Sequence, residues 1–292
     1  MKVKVYCYAK INLTLDVGAK RKDGYHDINT VMQSISLCDK VVINTNDTGK
    51  ITLSCNVDSV PCDGHNIAYK CAQAFYNRYD TTCGGVHIHI EKSIPMQAGL
   101  AGGSADGAGV LAALNAMYGE PFSQNELEEI GAAVGSDIPF CVRGGTAKGE
   151  GRGTVLTSLE NIPDCFFVLV KPPVGISTPE AYQKTDERKV IPPGATEKME
   201  KNLHSLELIG RYLRNDFEDA LANEELLSLK KRLLSFGGTL GAVMTGSGSV
   251  VYALFENKEY AEACAREMRC AYDRVYLVQP VNVGTSVYYV EK

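Results

Sequence analysis

The segment Pro95-Met96-Gln97-Ala98-Gly99-Leu100-Ala101-Gly102-Gly103-Ser104-Ala105 lies where a strand pattern, Val86 to Glu91, gives way to a helical one. Val110, Leu111, Leu114 and Met117 then recur at helical spacing until Gly119 and Pro121 stop the run. Gly99, Gly102, Gly103 and, just beyond, Gly107 crowd the junction. Glycines there let backbone N–H groups approach an anion closely, and the following helix directs its partial positive end at the same point. A plain strand-to-helix turn is the bland alternative. The strand before, the amphipathic helix after and Ser104 at the helix mouth favour a phosphate instead. Ser104 can cap the helix or reach a phosphate or magnesium oxygen. No G-x-x-x-x-G-K-[ST] loop, Rossmann spacing, H-R-D or D-F-G occurs.

The wider sequence sets the class. A chain of 292 residues with 45% hydrophobic and 22% charged residues is long enough for two domains and ordinary for a globular protein. A net charge of -5 argues against nucleic acid as a partner, although Lys20, Arg21 and Lys22 make a local basic patch. MKVKVYCYAK lacks the pattern of a signal peptide, and no apolar run is long enough to span a membrane. The ten cysteines, none spaced C-x-x-C, therefore read as free thiols of a cytoplasmic protein.

Short β-branched runs at Val3 to Tyr8, Asn12 to Val17, Lys40 to Asn44 and Ile51 to Asn56 make the first third strand-rich, with a helix over Ile67 to Tyr79. Ser123 and Glu126 form a capping-box signature for a helix carrying Leu127, Ile130 and Val134, with Gly135 placed as its C-cap. Phe166 to Val170 reads as a new strand halted by Pro172-Pro173, and Pro192-Pro193-Gly194 as a loop. Helices are expected over Lys198 to Leu213, Glu224 to Phe236 and Glu259 to Met268, and strands at Val250 to Phe255 and near Val275 and Val287. The pattern is α+β, with a domain boundary near Leu159 to Pro163.

P-x-x-x-G-L-A-G-G-S-A resembles the central motif of the GHMP kinases, the galactokinase, homoserine, mevalonate and phosphomevalonate kinase superfamily. Ala9-Lys10-Ile11-Asn12-Leu13 and Met244-Thr245-Gly246-Ser247-Gly248-Ser249 resemble its other two motifs, in order along the chain. Lys22-Asp23-Gly24-Tyr25-His26, Val134 to Phe140, Gly175 to Pro179 and Asn215-Asp216-Phe217-Glu218 resemble the branch that acts on a cytidyl-linked erythritol. The resemblance implies an α+β two-domain GHMP kinase fold. Residues 1–159 would form a ribosomal protein S5 domain 2-like α/β domain and 160–292 a ferredoxin-like α+β domain. It further implies ATP-dependent phosphorylation of the 2-hydroxyl of CDP-methylerythritol, with Mg2+.

Read alone, Asp137 is a helix N-cap and Lys10 a solvated strand end; the motif match implies instead a catalytic base and its cationic partner. Pro95 to Ala105, with Gly246 and Gly248, are implied ATP contacts, although T-G-S-G-S alone is also a tight turn. Asn12 either touches substrate, positions Lys10 or is structural. Tyr25 and His26, locally an exposed hairpin tip, become cytosine contacts, with Tyr182 as a second ring. Ser104 is an implied magnesium ligand. Gln97, Ala98 and Ala101 depart from the family by replacing common glycines, and their side chains are expected to point away from the nucleotide. His87 and His89 read as sheet lining and His65 as a cap. Rival readings are a homoserine or mevalonate type kinase, which needs no ring to stack a base, and a catalytically silent nucleotide or sugar sensor.

Overall fold

The computed structural model describes residues 1–80, 84–187 and 194–291. The loop expected at Pro192-Pro193 lies outside them. The chain opens with β1 (Lys2–Lys20) and β2 (His26–Thr45), a long antiparallel hairpin, followed by β3 (Ile51–Cys55), α1 (Ile67–Tyr79) and β4 (Val86–Glu91). Next come α2 (Gly102–Met117), α3 (Gln124–Ala132), α4 (Ile138–Arg143), β5 (Thr146–Glu150) and β6 (Val155–Ser158). The second half runs β7 (Phe166–Val170), α5 (Thr178–Asp186), α6 (Ala195–Glu200), α7 (Leu206–Tyr212), β8 (Arg214–Asn215), α8 (Asp216–Leu221) and α9 (Glu224–Leu234). It ends with β9 (Thr239–Met244), β10 (Val251–Phe255), α10 (Lys258–Arg269), β11 (Val275–Val278) and β12 (Thr285–Glu291).

One sheet has the order β12-β1-β2-β4-β3, with β5 on β2, β6 on β5 and β8 on β1; the other is β11-β7-β10-β9. The expected division at 159/160 falls between β6 and β7, but the end of the chain crosses back. β12 pairs antiparallel with β1, Lys2 opposite Glu291, and covers an edge that would otherwise stand open.

Phe166 to Val170 is apolar throughout because both faces of its sheet are buried. Phe167, Leu169, Val243 and Tyr252 join the core beneath α1 and α2, while Val168, Val170, Ala242 and Val251 pack with Leu229 of α9 and Cys264 of α10. Side-chain alternation along each strand divides the two sets. α2 lies in the middle of the first core, where Ala105, Ala108 and Leu111 have no exposure. Its small residues permit that position: a Cβ on Gly109 would stand 2.1 Å from Cys7 Sγ of β1.

Several sequence expectations need correction. Val3 to Tyr8 and Asn12 to Val17 are one strand, so Lys10 is internal rather than a solvated end, and only 4% exposed. Bulges at Tyr8/Ala9 and Asn12/Thr14 break the period-2 pattern and re-aim the side chains between them. The helix expected over Lys198 to Leu213 is two helices, the second capped by the Ser205 side chain on the Leu208 N–H. The Ser123–Glu126 capping box forms, yet α3 ends at Ala132 with Ala133 as its C-cap, and Gly135 instead donates to the Gly131 carbonyl. Asn66, not His65, caps α1 by accepting from the Ala68 N–H.

Candidate active site

The glycine segment joins β4 to α2 and walls a cavity of about 600 Å³. Gln97, Gly99 and Ala101 have φ of 50°, 74° and 56°. Left-handed residues at every second position turn the N–H groups of a short loop toward one point. α2 starts at Gly102 with Ala101 as its N-cap and no side-chain cap. Ser104 is therefore a first-turn residue rather than the cap, and it lines the cavity. Pro95 to Gly103 line it as well, whereas Ala105 is fully buried in the core. Of the three residues standing for glycines, Ala98 is 2% exposed and sits in that core.

Ala101 is strained, since a left-handed conformation costs a residue with a Cβ about 1–2 kcal/mol. Ala101→Gly removes that cost and returns about 0.4–1 kcal/mol as unfolded-state entropy. A small net stabilisation, read as a raised thermal midpoint, is expected; a lowered midpoint would show that the methyl packs better than its conformation costs.

The loop between β9 and β10 packs backbone to backbone on the glycine loop. A Cβ on Gly99 would lie 2.0 Å from the Thr245 carbonyl oxygen. The Val250 N–H donates to the Ala98 carbonyl at 3.3 Å, and the Lys10 N–H to the Leu100 carbonyl at 3.2 Å. Gly246 and Gly248 line the cavity from this side. Asn215, the N-cap of α8, donates from Nδ2 to the Met244 and Gly246 carbonyls, each at 2.8 Å, and Glu218 accepts the Met244 N–H at 2.7 Å. The N-D-F-E segment thus braces this loop.

Lys10 and Asp137, 127 positions apart in sequence, line the same cavity. Lys10 Nζ donates to Asn12 Oδ1 at 2.7 Å; the same oxygen accepts the Gly246 N–H at 3.0 Å. Asn12 Nδ2 donates to Thr30 Oγ1 at 2.8 Å, and the Asn12 carbonyl accepts from the Tyr252 hydroxyl at 2.8 Å. Asn12 is thus the hinge pin between the lysine and the far loop. The Asn12 N–H donates to Thr245 Oγ1 of the third motif at 3.0 Å; Thr30 and Tyr252, which sequence reasoning missed, complete the set, and only a contact across 240 positions reveals Tyr252.

Asp137 occupies the N-cap position of α4, but its side chain makes no cap hydrogen bond. The half-buried carboxylate is left to the cavity. Burial pushes the neighbouring Cys141 thiol up, with Asp137 pushing it further and Lys10 opposing it. Tyr182 also lines the cavity; burial, with Asp137 adding, pushes its hydroxyl up to about 12.

Tyr25 and His26 are not among the cavity-lining residues. The Tyr182 ring stacks on His26 with centroids 4.8 Å apart and an interplanar angle of 16°, and His26 Nε2 meets Asp186 Oδ1 at 2.7 Å. That bond, first, and Lys20 hold the Asp186 carboxyl below the usual range. Tyr25, 50% exposed, carries the Arg152 guanidinium over its face. Tyr25 and Tyr182 therefore each have one face covered by another side chain of this chain.

Sequence reasoning also missed a buried charge cluster under the glycine loop. Lys92 Nζ is paired with Asp39 and, at 2.7 Å, with Asp106 Oδ2; the three side chains are 6%, 0% and 6% exposed. Asp39 accepts the Ile94 N–H at 2.8 Å, and Lys92 and Ile94 line the cavity. Burial is the main cause that drives the Asp106 carboxyl well above the ordinary range.

No group of three or more metal-ligating side chains occurs among the described residues. His87 and His89 form a hydrogen-bonded chain with Thr52 and Ser54 on the β3–β4 surface. The cavity offers Ser104 and Asp137 as oxygen donors, which fits a cation that keeps most of its oxygens from water and phosphate, as Mg2+ does.

Residues 66–145 match the GHMP kinases N terminal domain, and residues 197–274 the GHMP kinases C terminal domain. The 4-diphosphocytidyl-2-C-methyl-D-erythritol kinase of Clostridium tetani is 40% identical over 283 residues, covering 96% of this chain and 100% of the relative. The enzyme of that name from Listeria monocytogenes is 39% identical over 290 residues, 98% of each chain. A crystal structure of 4-(cytidine 5'-diphospho)-2C-methyl-D-erythritol kinase superposes with a TM-score of 0.80 at 29% identity, covering 95% of this chain and 98% of the other. Homoserine kinase from Cytophaga hutchinsonii reaches 0.81 at 19% identity, over 98% and 97% of the two chains, a likeness of fold.

Proposed function

This chain belongs to the GHMP kinase family, and from that premise we propose that it transfers the γ-phosphoryl group of ATP to the 2-hydroxyl of CDP-methylerythritol, a step of the non-mevalonate isoprenoid precursor pathway. The observation that carries the reading is one cavity lined by the glycine loop, Lys10 and Asp137, in a chain about 40% identical to kinases named for that substrate.

ATP is the phosphoryl donor. Its phosphates rest on the N–H groups of the glycine loop and the N-terminus of α2, where the helix dipole favours negative charge. Asp137 accepts the proton of the attacking hydroxyl. Lys10, held by Asn12, orients that hydroxyl and offsets the charge that develops on the transferred group. Phosphoryl transfer asks little of its base, because its loose transition state depends on positioning and charge stabilisation more than on early proton removal. Mg2+ would be held by the triphosphate and water with the Ser104 hydroxyl, and supplies neutralisation of phosphate charge.

Tyr25, His26 and Tyr182 make the base subsite in this reading. Residues 1–159 supply the phosphate loop and the catalytic pair, and 160–292 the opposite wall and the closing strand β12. No helix among the described residues is long and apolar enough to cross a membrane. We place the enzyme in the cytoplasm, in keeping with nine described cysteines that are all free.

A coupled ADP-release assay with CDP-methylerythritol, mevalonate and homoserine tests the assignment. Turnover with the cytidyl compound alone is expected. Preference for mevalonate or homoserine would move the chain to another branch of the family, and no turnover with any would make it a sensor.

A further inference from the structure

Arg152 stands at the tip of the β5–β6 hairpin, between the last residue of β5 and the start of β6. The hairpin is tied to β2 by the Ile28 N–H, which donates to the Gly151 carbonyl at 2.7 Å. The next residue, Gly153, is part of the cavity wall together with Ile28. The Arg152 guanidinium carbon lies 3.7 Å from the centroid of the Tyr25 ring, and its Nε is buried without a hydrogen-bond acceptor among the described residues. Asp23 feels the Arg152 charge but is ion-paired with Arg21 at 3.2 Å, and the Arg152 Nε is left without an acceptor among the described residues. A cation with an unused donor therefore lies on the aromatic face assigned to the base, at the edge of the reaction cavity.

Such an arrangement leaves the guanidinium poorly satisfied. A cation–π contact on a half-exposed ring is weak, and a buried N–H with no acceptor is costly. A guanidinium fork matches phosphate oxygens two at a time. The base and the diphosphate of a nucleotide-linked alcohol arrive together, the base needing the ring face and the diphosphate needing a cation. We propose that Arg152 is a specificity-determining residue that recognises the diphosphate of the substrate. The guanidinium that lies over Tyr25 yields that face to the pyrimidine and turns its fork, Nε included, to the diphosphate. The exchange rests on the CDP-methylerythritol reading given above. It makes a nucleoside lacking phosphates a poor competitor, because such a ligand displaces the guanidinium without giving it an acceptor.

The test is titration calorimetry of CDP and of cytidine on the wild type, Arg152→Ala and Arg152→Lys, with KM and kcat for CDP-methylerythritol. Arg152→Ala is expected to weaken CDP binding and raise KM by about tenfold or more, the scale of a lost charge-assisted pair. It should leave kcat within about twofold and cytidine binding unchanged or tighter. Arg152→Lys keeps the charge without the fork and should recover part of the loss for CDP. Equal losses for CDP and cytidine would reduce Arg152 to a prop for Tyr25 and overturn the proposal, as would unchanged CDP affinity in Arg152→Ala. Arg152-dependent binding of CDP by an enzyme that does not turn over CDP-methylerythritol would sustain the diphosphate role and sink the substrate assignment. Failure of the wild type to bind CDP would sink both.

Discussion

Asp137→Asn is expected to lower kcat by roughly 10² or more, the scale of a lost general base, with little change in the KM for ATP. The substitution is nearly isosteric and keeps the shape of the cavity while removing the proton acceptor. The Asp137 side chain makes no cap hydrogen bond to α4, so its loss withdraws no cap from that helix, and the thermal midpoint should stay close to that of the wild type. Single-turnover measurements with saturating ATP and CDP-methylerythritol would separate the chemical step from product release. An unchanged rate of that step would remove Asp137 from the mechanism, and a fall in KM-linked binding alone would make it a substrate contact.

Lys92→Met should be the most damaging substitution for stability. It leaves the carboxylates of Asp39 and Asp106, at 0% and 6% side-chain exposure, without the ammonium between them. Breaking a buried ion pair from one side costs about 3–5 kcal/mol, a large part of what holds a typical domain folded. The loss has a predicted pH sign. Burial already drives the Asp106 carboxyl upward, and Lys92 is the main influence opposing it. Without Lys92 the folded state holds a proton that the unfolded state has released, so stability falls as pH rises from the unfolded carboxylate range through the folded one. Denaturant midpoints of the variant should therefore lie closer to wild type at acid than at neutral pH. Adding Asp106→Asn removes one of the two stranded charges and should recover part of the loss. Equal destabilisation at both pH values would show that the cost is packing rather than charge. Because Lys92 and Ile94 line the cavity at the foot of α2, the variant should also bind ATP more weakly.

Legibility in the sequence followed the range of the interactions. The glycine loop, α2 and the capping box at Ser123 were readable because each is decided by neighbours within a few residues. The hairpin β1–β2 was read only in fragments. Its bulges at Tyr8/Ala9 and Asn12/Thr14 shift the face on which side chains fall, so alternation fails where Lys10 and Asn12 stand. Lys92 was overlooked because a lysine at a strand end is most often solvated, and only the fold brings Asp39, 53 positions away, and Asp106 of α2 onto it. Tyr25 and Tyr182 were named as a pair, yet each has a face covered by another side chain, Arg152 on the one and His26 on the other.

The linear chain by itself pointed to the residues proposed to carry the chemistry, because a glycine loop, its helix and the motif types of a GHMP kinase are local patterns of side chain and backbone freedom. Only the tertiary structure decided that Lys10 is buried and pinned by Asn12 to a loop 234 positions away, and that the Asp137 carboxylate is free of its own helix. It also decided that β12 closes the first sheet. Those outcomes depend on which distant surfaces exclude water from one another, and that is settled when the chain packs.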